Sequence, residues 1–271
     1  MGKISRGWQL TKLSFGVIRK DKEMLLFPLI SGGIMLLIAA SFLIPMFLSG
    51  SFSASSIDIV FYIFWAVFYF VSFFISIFFS VALMGCAMKR LEGGDPTFAY
   101  GIRFAAERTV YILEWALVAA TIGLILRTLQ ERAGLIGKIV IGLIGLAWSI
   151  ASYFAVPVIA FEKQTPFKAL RRSASILKAS WGEALISNLG IGLIFFGLAM
   201  LGIAFIVIAA LIGGIMGIIV GFIIAVVYWI FIAVLAQAVQ GVLTTALYRF
   251  ATTGKTSMDF PSEVLTNPWN I

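Results

Sequence analysis

The chain has 271 residues, 61% of them apolar and 12% charged, with a formal net charge of +8 and no histidine; its mean hydropathy is +1.07. Soluble domains of this size carry about 25% charged residues, and their helices keep a polar stripe toward water, so a soluble globular fold is excluded. With no histidine and a single cysteine, Cys86, the commonest general base and metal ligand is missing and no internal disulfide or cysteine metal cluster can form.

Uncharged runs cover 24–57, 59–88, 139–161 and 184–248. A bilayer core of about 30 Å needs roughly 20 apolar residues of helix, so these runs predict one, one, one and two crossings. The runs are continuous rather than alternating, which excludes a membrane β-barrel. In chain order, a basic segment from Lys3 to Lys22 leads into a first span over 24–48. That apolar run starts too late and is too long for a signal peptide, so the N-terminus is expected to be kept. The second span, 57–88, carries eleven aromatics between Phe61 and Phe79 that surround the helix instead of striping it. At 1.5 Å per residue it is about 48 Å long and must tilt or protrude.

A polar turn, Lys89–Thr97, follows, with Pro96 expected at the first position of the next helix. The third span, 110–129, is short of apolar residues, because Glu114 and Arg127 stand thirteen residues apart, about 20 Å of helix. Either both snorkel to the interfaces, or they face a wet cavity or a thinned bilayer. The fourth span, 135–161, contains Pro157, which predicts a kink. A second polar turn, Glu162–Pro166, precedes a mixed basic and apolar segment in which Ala169, Leu170, Ser173, Ile176 and Leu177 form one face. Lys168, Arg171, Arg172 and Lys178 surround it, as in helices that lie in a membrane interface. The fifth and sixth spans, 184–212 and 215–248, turn at Gly213-Gly214; the sixth bears Gln237, Gln240, Thr244 and Thr245. A cytoplasmic tail is expected over 250–271, where Pro261 and Pro268 break the pattern of elbow and span.

Beneath these elements lies a repeat. Phe98 is followed by Arg103, Ala105 and Glu114 at the offsets that separate Phe167 from Arg172, Ala174 and Glu183; Trp8, Lys12 and Glu23 form a looser copy. The expected fold is all-α: a single domain of six transmembrane helices in three parallel repeats, about 3–88, 96–161 and 165–249, each an interfacial elbow helix plus a helical hairpin. Of the 20 lysines and arginines, only Arg127, Arg132 and Lys138 fall on one side, so the positive-inside rule places both termini in the cytoplasm of a multi-pass cell-membrane protein. The charge then reads as a topology signal and an attraction to anionic lipid, with no nucleic-acid partner.

Ladders of small residues, among them Gly213, Gly217, Gly221 and Ala225, read as helix-packing seams. Arg103, Arg108, Lys168, Arg171, Arg172 and Lys178 are the candidate contacts for anionic lipid heads. Glu114, Arg127, Gln237 and Gln240 are the candidate intramembrane polar site, since polar groups within lipid need partners or a pathway. There is no phosphate-binding glycine loop, no Gly-x-Ser-x-Gly and no paired carboxylate set within a span. No catalytic residue, metal or cofactor is therefore expected. The reading is a non-enzymatic protein that handles or organises lipid; the alternatives are a transporter or channel for a small solute or ion, and a subunit that needs a membrane-protein partner or a second copy.

Two stretches carry a family resemblance: Arg19-Lys20-Asp21-Lys22-Glu23 with Leu26-Phe27-Pro28-Leu29 and Ser31, and Pro157, Glu162, Ala169-Leu170-Arg171-Arg172-Ser173, Lys178 and Trp181-Gly182-Glu183. They resemble a group of prokaryotic six-helix membrane proteins known only as a domain of unknown function. More distantly, the chain is similar to the membrane domain attached to some glycerophosphodiester phosphodiesterases. The resemblance implies the fold and an inner-membrane location, and no activity.

Overall fold

The computed structural model describes residues 3–48, 59–257 and 260, with side-chain surroundings for 8–48, 63–178, 191–257 and 260. Among these residues eight α-helices follow in order: α1 (Lys3–Lys20), α2 (Leu26–Leu48), α3 (Ile59–Leu91), α4 (Phe98–Ala106), α5 (Thr109–Arg132), α6 (Leu135–Ala151), α7 (Ala155–Glu162) and α8 (Pro166–Thr253). A short 3-10 turn, Lys22–Leu25, joins α1 to α2. Among the described residues there is no strand, and one isolated bridge pairs Ser257 with Phe260. Among the described residues, five stretches are long and apolar enough to cross a membrane: Lys22–Leu48, Ile63–Leu91, Thr109–Arg132, Leu135–Glu162 and Ile191–Thr253. Leu36, Leu37, Leu143, Leu211 and Ile215 stand exposed on them. Apolar surface of this extent has no place in water and needs lipid or protein to cover it.

The described chain forms two compact units. One gathers Met1–Pro28, Ala87–Pro96 and Ser180–Ile271; the other gathers Leu29–Cys86 and Thr97–Ala179. Two of the boundaries, after Pro28 and after Ala179, fall where an elbow passes into its span.

In the second unit, α2 and α3 meet through rings: Phe42 lies 4.3 Å from Phe64 and 5.2 Å from Phe68. Trp115 of α5 stacks on Trp148 of α6 at 5.8 Å. The elbow α4 starts later than expected for Pro96. Thr97 is its N-cap, its hydroxyl accepting the Tyr100 N–H at 3.2 Å, so Pro96 precedes the cap and is not the first helical residue. Pro166 does begin its helix, with the Thr165 carbonyl accepting the Ala169 N–H at 2.8 Å. The fourth span departs from expectation too. The continuous helix read over 135–161 is two helices, broken at Ser152–Phe154 rather than bent at Pro157. The proline acts one turn upstream. It has no N–H to give the Tyr153 carbonyl and its ring crowds that group, so the chain turns there before Pro157 enters the first turn of α7.

The last element also differs. The elbow over Pro166–Lys178 passes into its span without interruption, both within α8 (Pro166–Thr253). No proline or left-handed residue separates elbow from span, so nothing ends the helix. Straight, the 63 residues of Ile191–Thr253 would reach about 95 Å, three times the hydrocarbon core. They fold back instead. Tyr228 Oη donates to the Leu198 carbonyl at 2.7 Å and Trp229 Nε1 to that of Ala199 at 2.8 Å. Gly214 sits at φ +55, a backbone region that costs other residues roughly 1–2 kcal/mol. A side chain on Gly217 would strike the Ala209 carbonyl, and one on Gly221 would come within 2.7 Å of Ala209 Cβ. The four-residue glycine spacing is thus a seam where two helix backbones nearly touch.

Candidate functional site

Two arginine locks hold the places where an elbow meets a span. In the first unit, Asp21 ends α1, buried, and accepts from both Nε and Nη2 of Arg90 near the end of α3. Arg90 also bonds Asp95 in the following turn at 2.5 Å, and the Arg249 guanidinium donates to the Leu91 carbonyl. A forked guanidinium matches a carboxylate with two parallel bonds, which fixes direction as well as distance. The sequence marks neither residue for a role; its only signal is one acid inside the basic run Arg19–Lys22.

In the second unit, Arg108 is the lock. It lies between α4 and α5, 9% exposed. It donates to the Ala160 carbonyl in α7 and, at 2.6 Å, to the Phe104 carbonyl. Its guanidinium also sits 3.5 Å over the Phe104 ring. The Ala160 carbonyl belongs to the last turn of a helix, where backbone acceptors lack an internal partner and cations are favoured. Burial pulls the Arg108 pKa below its ordinary value, against the Glu107 carboxylate, which raises it; arginine starts so high that it keeps its charge. Phe104 has its own fixed seat, since Gly85 on α3 leaves a gap where a Cβ would lie 2.5 Å from its ring. Among the expected lipid contacts, then, Arg108 turns into the protein.

The other five cations face outward. Arg103, Lys168, Arg171, Arg172 and Lys178 are exposed. Arg103 pairs with Glu107 at 3.4 Å one turn on, and Arg172 with Glu162 at the end of α7 at 3.0 Å. Exposed pairs of this kind contribute about 0–1 kcal/mol, so they leave the positive surface available. Behind the cations of α8, Ala169, Ser173, Ile176 and Leu177 are buried. The Ser173 hydroxyl accepts the Phe154 N–H at 2.9 Å, the donor set loose where α6 and α7 part. Of the five residues of the expected elbow face only Leu170 is half-buried rather than buried, and the face packs on protein.

Glu114 and Arg127 stand in one unit, Gln237 and Gln240 in the other. Glu114 is half-buried on α5, and its Oε2 is buried with no hydrogen-bond partner among the described residues. Arg127, far along the same helix, is exposed, bonded to Glu131 at 2.9 Å and to the Tyr69 hydroxyl of α3. Gln237 and Gln240 are half-buried. Of the matching glutamates, Glu23 is exposed, and the Glu183 side chain lies outside the described residues.

Neither a curated protein nor a solved structure matches this chain, and no link to glycerophosphodiester phosphodiesterases emerges. A family of unknown function, DUF6159, matches residues 55–258. That match takes in α3 to α8, including the Arg108 lock and the cations around it, and on this ground the chain belongs to the family of unknown function DUF6159.

Proposed function

We propose that this chain is a six-span protein of the cell membrane, built as three parallel elbow-and-hairpin repeats with both termini in the cytoplasm. On this reading it does no enzymatic chemistry, and its elbow helices hold anionic lipid heads at the cytoplasmic face. The observation that carries the reading is the two-faced start of α8. Lys168, Arg171, Arg172 and Lys178 point outward while Ala169, Ser173, Ile176 and Leu177 are buried behind them. Arg172 is shared with Glu162, and the other three cations are presented at a place where, on this reading, the next residues enter lipid. A basic side chain near an anionic leaflet contributes about 1 kcal/mol, so three of them are enough to sort lipids. The test is lipid selectivity of the purified protein in mixed phosphatidylcholine and phosphatidylglycerol vesicles, read with spin-labelled lipids. Enrichment of phosphatidylglycerol at the protein that falls when Lys168, Arg171 and Lys178 become Gln supports the reading; equal association of both lipids sinks it.

A further inference from the structure

The N-terminal elbow has two faces of different character. Along α1, Leu10, Thr11, Ser14, Val17 and Ile18 are buried. Trp8, Lys12, Phe15 and Arg19 are all exposed, Trp8 at 48% and Phe15 at 47%. Spaced by four, three and four, these residues fall within about 60° of arc at 100° per residue, well away from the buried stripe. The order along the stripe is aromatic, cation, aromatic, cation. Lys12 Nζ lies 5.3 Å from the Trp8 ring centroid, within the roughly 6 Å at which a cation and an indole attract, so the pair stands side by side on the surface. The helix contains no Asp or Glu. Its C-terminal end is held: Asp21 is clamped by Arg90, and Leu26 opens the first span five residues later. The helix therefore starts its course at the level where the chain enters the membrane.

From these observations we infer that the Trp8–Lys12–Phe15–Arg19 stripe is a membrane-insertion face, with the two rings seated among lipid headgroups and the two cations on anionic phosphates. Tryptophan and phenylalanine settle at the apolar edge of that layer, while Lys and Arg extend their charges outward from a shared helix face. Charge decides the occupant, since a helix with no carboxylate, one cation between the two rings and another beyond them suits an anionic lipid surface. The inference rests on the lipid-holding reading above but uses a different helix, and the two can fail separately.

The test uses the full chain with Cys86→Ser, so that single spin labels can be placed at Trp8→Cys, Phe15→Cys and, as an aqueous reference in the turn after α3, Glu92→Cys. Each is reconstituted in phosphatidylcholine vesicles with and without phosphatidylglycerol. Labels at 8 and 15 are expected to meet oxygen more than a water-soluble nickel chelate, the reverse of the label at 92, and to lie deeper when phosphatidylglycerol is present. Lys12→Glu with Arg19→Glu should abolish that dependence. Labels at 8 and 15 as nickel-accessible as the one at 92 overturn the inference. So does depth that ignores both phosphatidylglycerol and the charge reversal. Lipid selectivity that survives while these labels stay in water would sink the stripe and spare the α8 cations.

Discussion

Arg108 shows how a single side chain can be read correctly in type and wrongly in direction. A basic residue between an elbow and a span looks like a headgroup ligand, and pattern alone gives no reason to separate it from Arg103. What separates them is Phe104 and Ala160, one a ring fixed by the gap at Gly85, the other a helix-end carbonyl fifty-two residues away. Neither relation has a sequence signature. Arg108→Ala strips a buried acceptor of its donor and empties the space beside the ring, so a loss of about 2–4 kcal/mol is expected. Arg108→Lys should recover little of it, because a single ammonium cannot reach two carbonyls and lie flat on a ring together. Thermal unfolding in detergent micelles measures both, and a lysine variant as stable as the parent would show that charge alone matters here. A headgroup ligand would behave in the opposite way, tolerating lysine and leaving the melting temperature unmoved.

At the scale of elements, the helices with long uninterrupted apolar runs were legible, and their bounds moved by a few residues: 110–129 became Thr109–Arg132 and 57–88 became Ile59–Leu91. The junctions were less legible. Composition says that a proline disturbs a helix, while the position of the break depends on which freed groups find partners. The α6–α7 break is stable because Ser173 takes up the Phe154 N–H and because the Ser152 hydroxyl returns to the Trp148 carbonyl at 2.8 Å. The sequence pattern puts Ser173 on the apolar face of its elbow with no role of its own; its hydroxyl makes that face a clasp on the preceding hairpin. Ser173→Ala should therefore cost about 1–3 kcal/mol, the penalty for an unpaired buried donor. With Pro157→Ala in place, residue 157 regains an N–H for the Tyr153 carbonyl and the Phe154 N–H can return to the helix. The serine should then matter much less. A double-mutant cycle on unfolding free energy reads the coupling, and strict additivity of the two changes would refute the clasp.

For the molecule as a whole, the parity of crossings decides what the two ends share. An odd number puts them on opposite faces of the membrane and an even number on the same face. Five apolar stretches taken one crossing each would separate the ends. The last one folds back on itself, however, with Trp229 bonded to Ala199 and a left-handed glycine between; the proposed topology counts it as two crossings, which makes the total six and even. The expected turn at Gly213-Gly214, the one adjacent glycine pair in a 65-residue uncharged run, coincides with the left-handed Gly214. The gathering of residues into two units had no local signal, because it depends on contacts between segments far apart in the chain. The proposed topology, with the chain turning at Gly213-Gly214 and Arg127, Arg132 and Lys138 alone assigned to the far side, makes a definite claim about reporter fusions. Alkaline phosphatase, active only outside the cytoplasm, should be active when fused after Gly213 and inactive when fused after Gly254. A fluorescent protein that folds only in the cytoplasm should give the reverse. Phosphatase activity after both sites would mean that the final helix does not return, and the six-span parallel architecture would fall with it. Inactivity after both would mean that the fifth helix never crosses. Replacing Gly217 with Leu sharpens the experiment, since the Ala209 backbone blocks that side chain: the hairpin should open and the fusion after Gly254 should lose its uniform cytoplasmic signal.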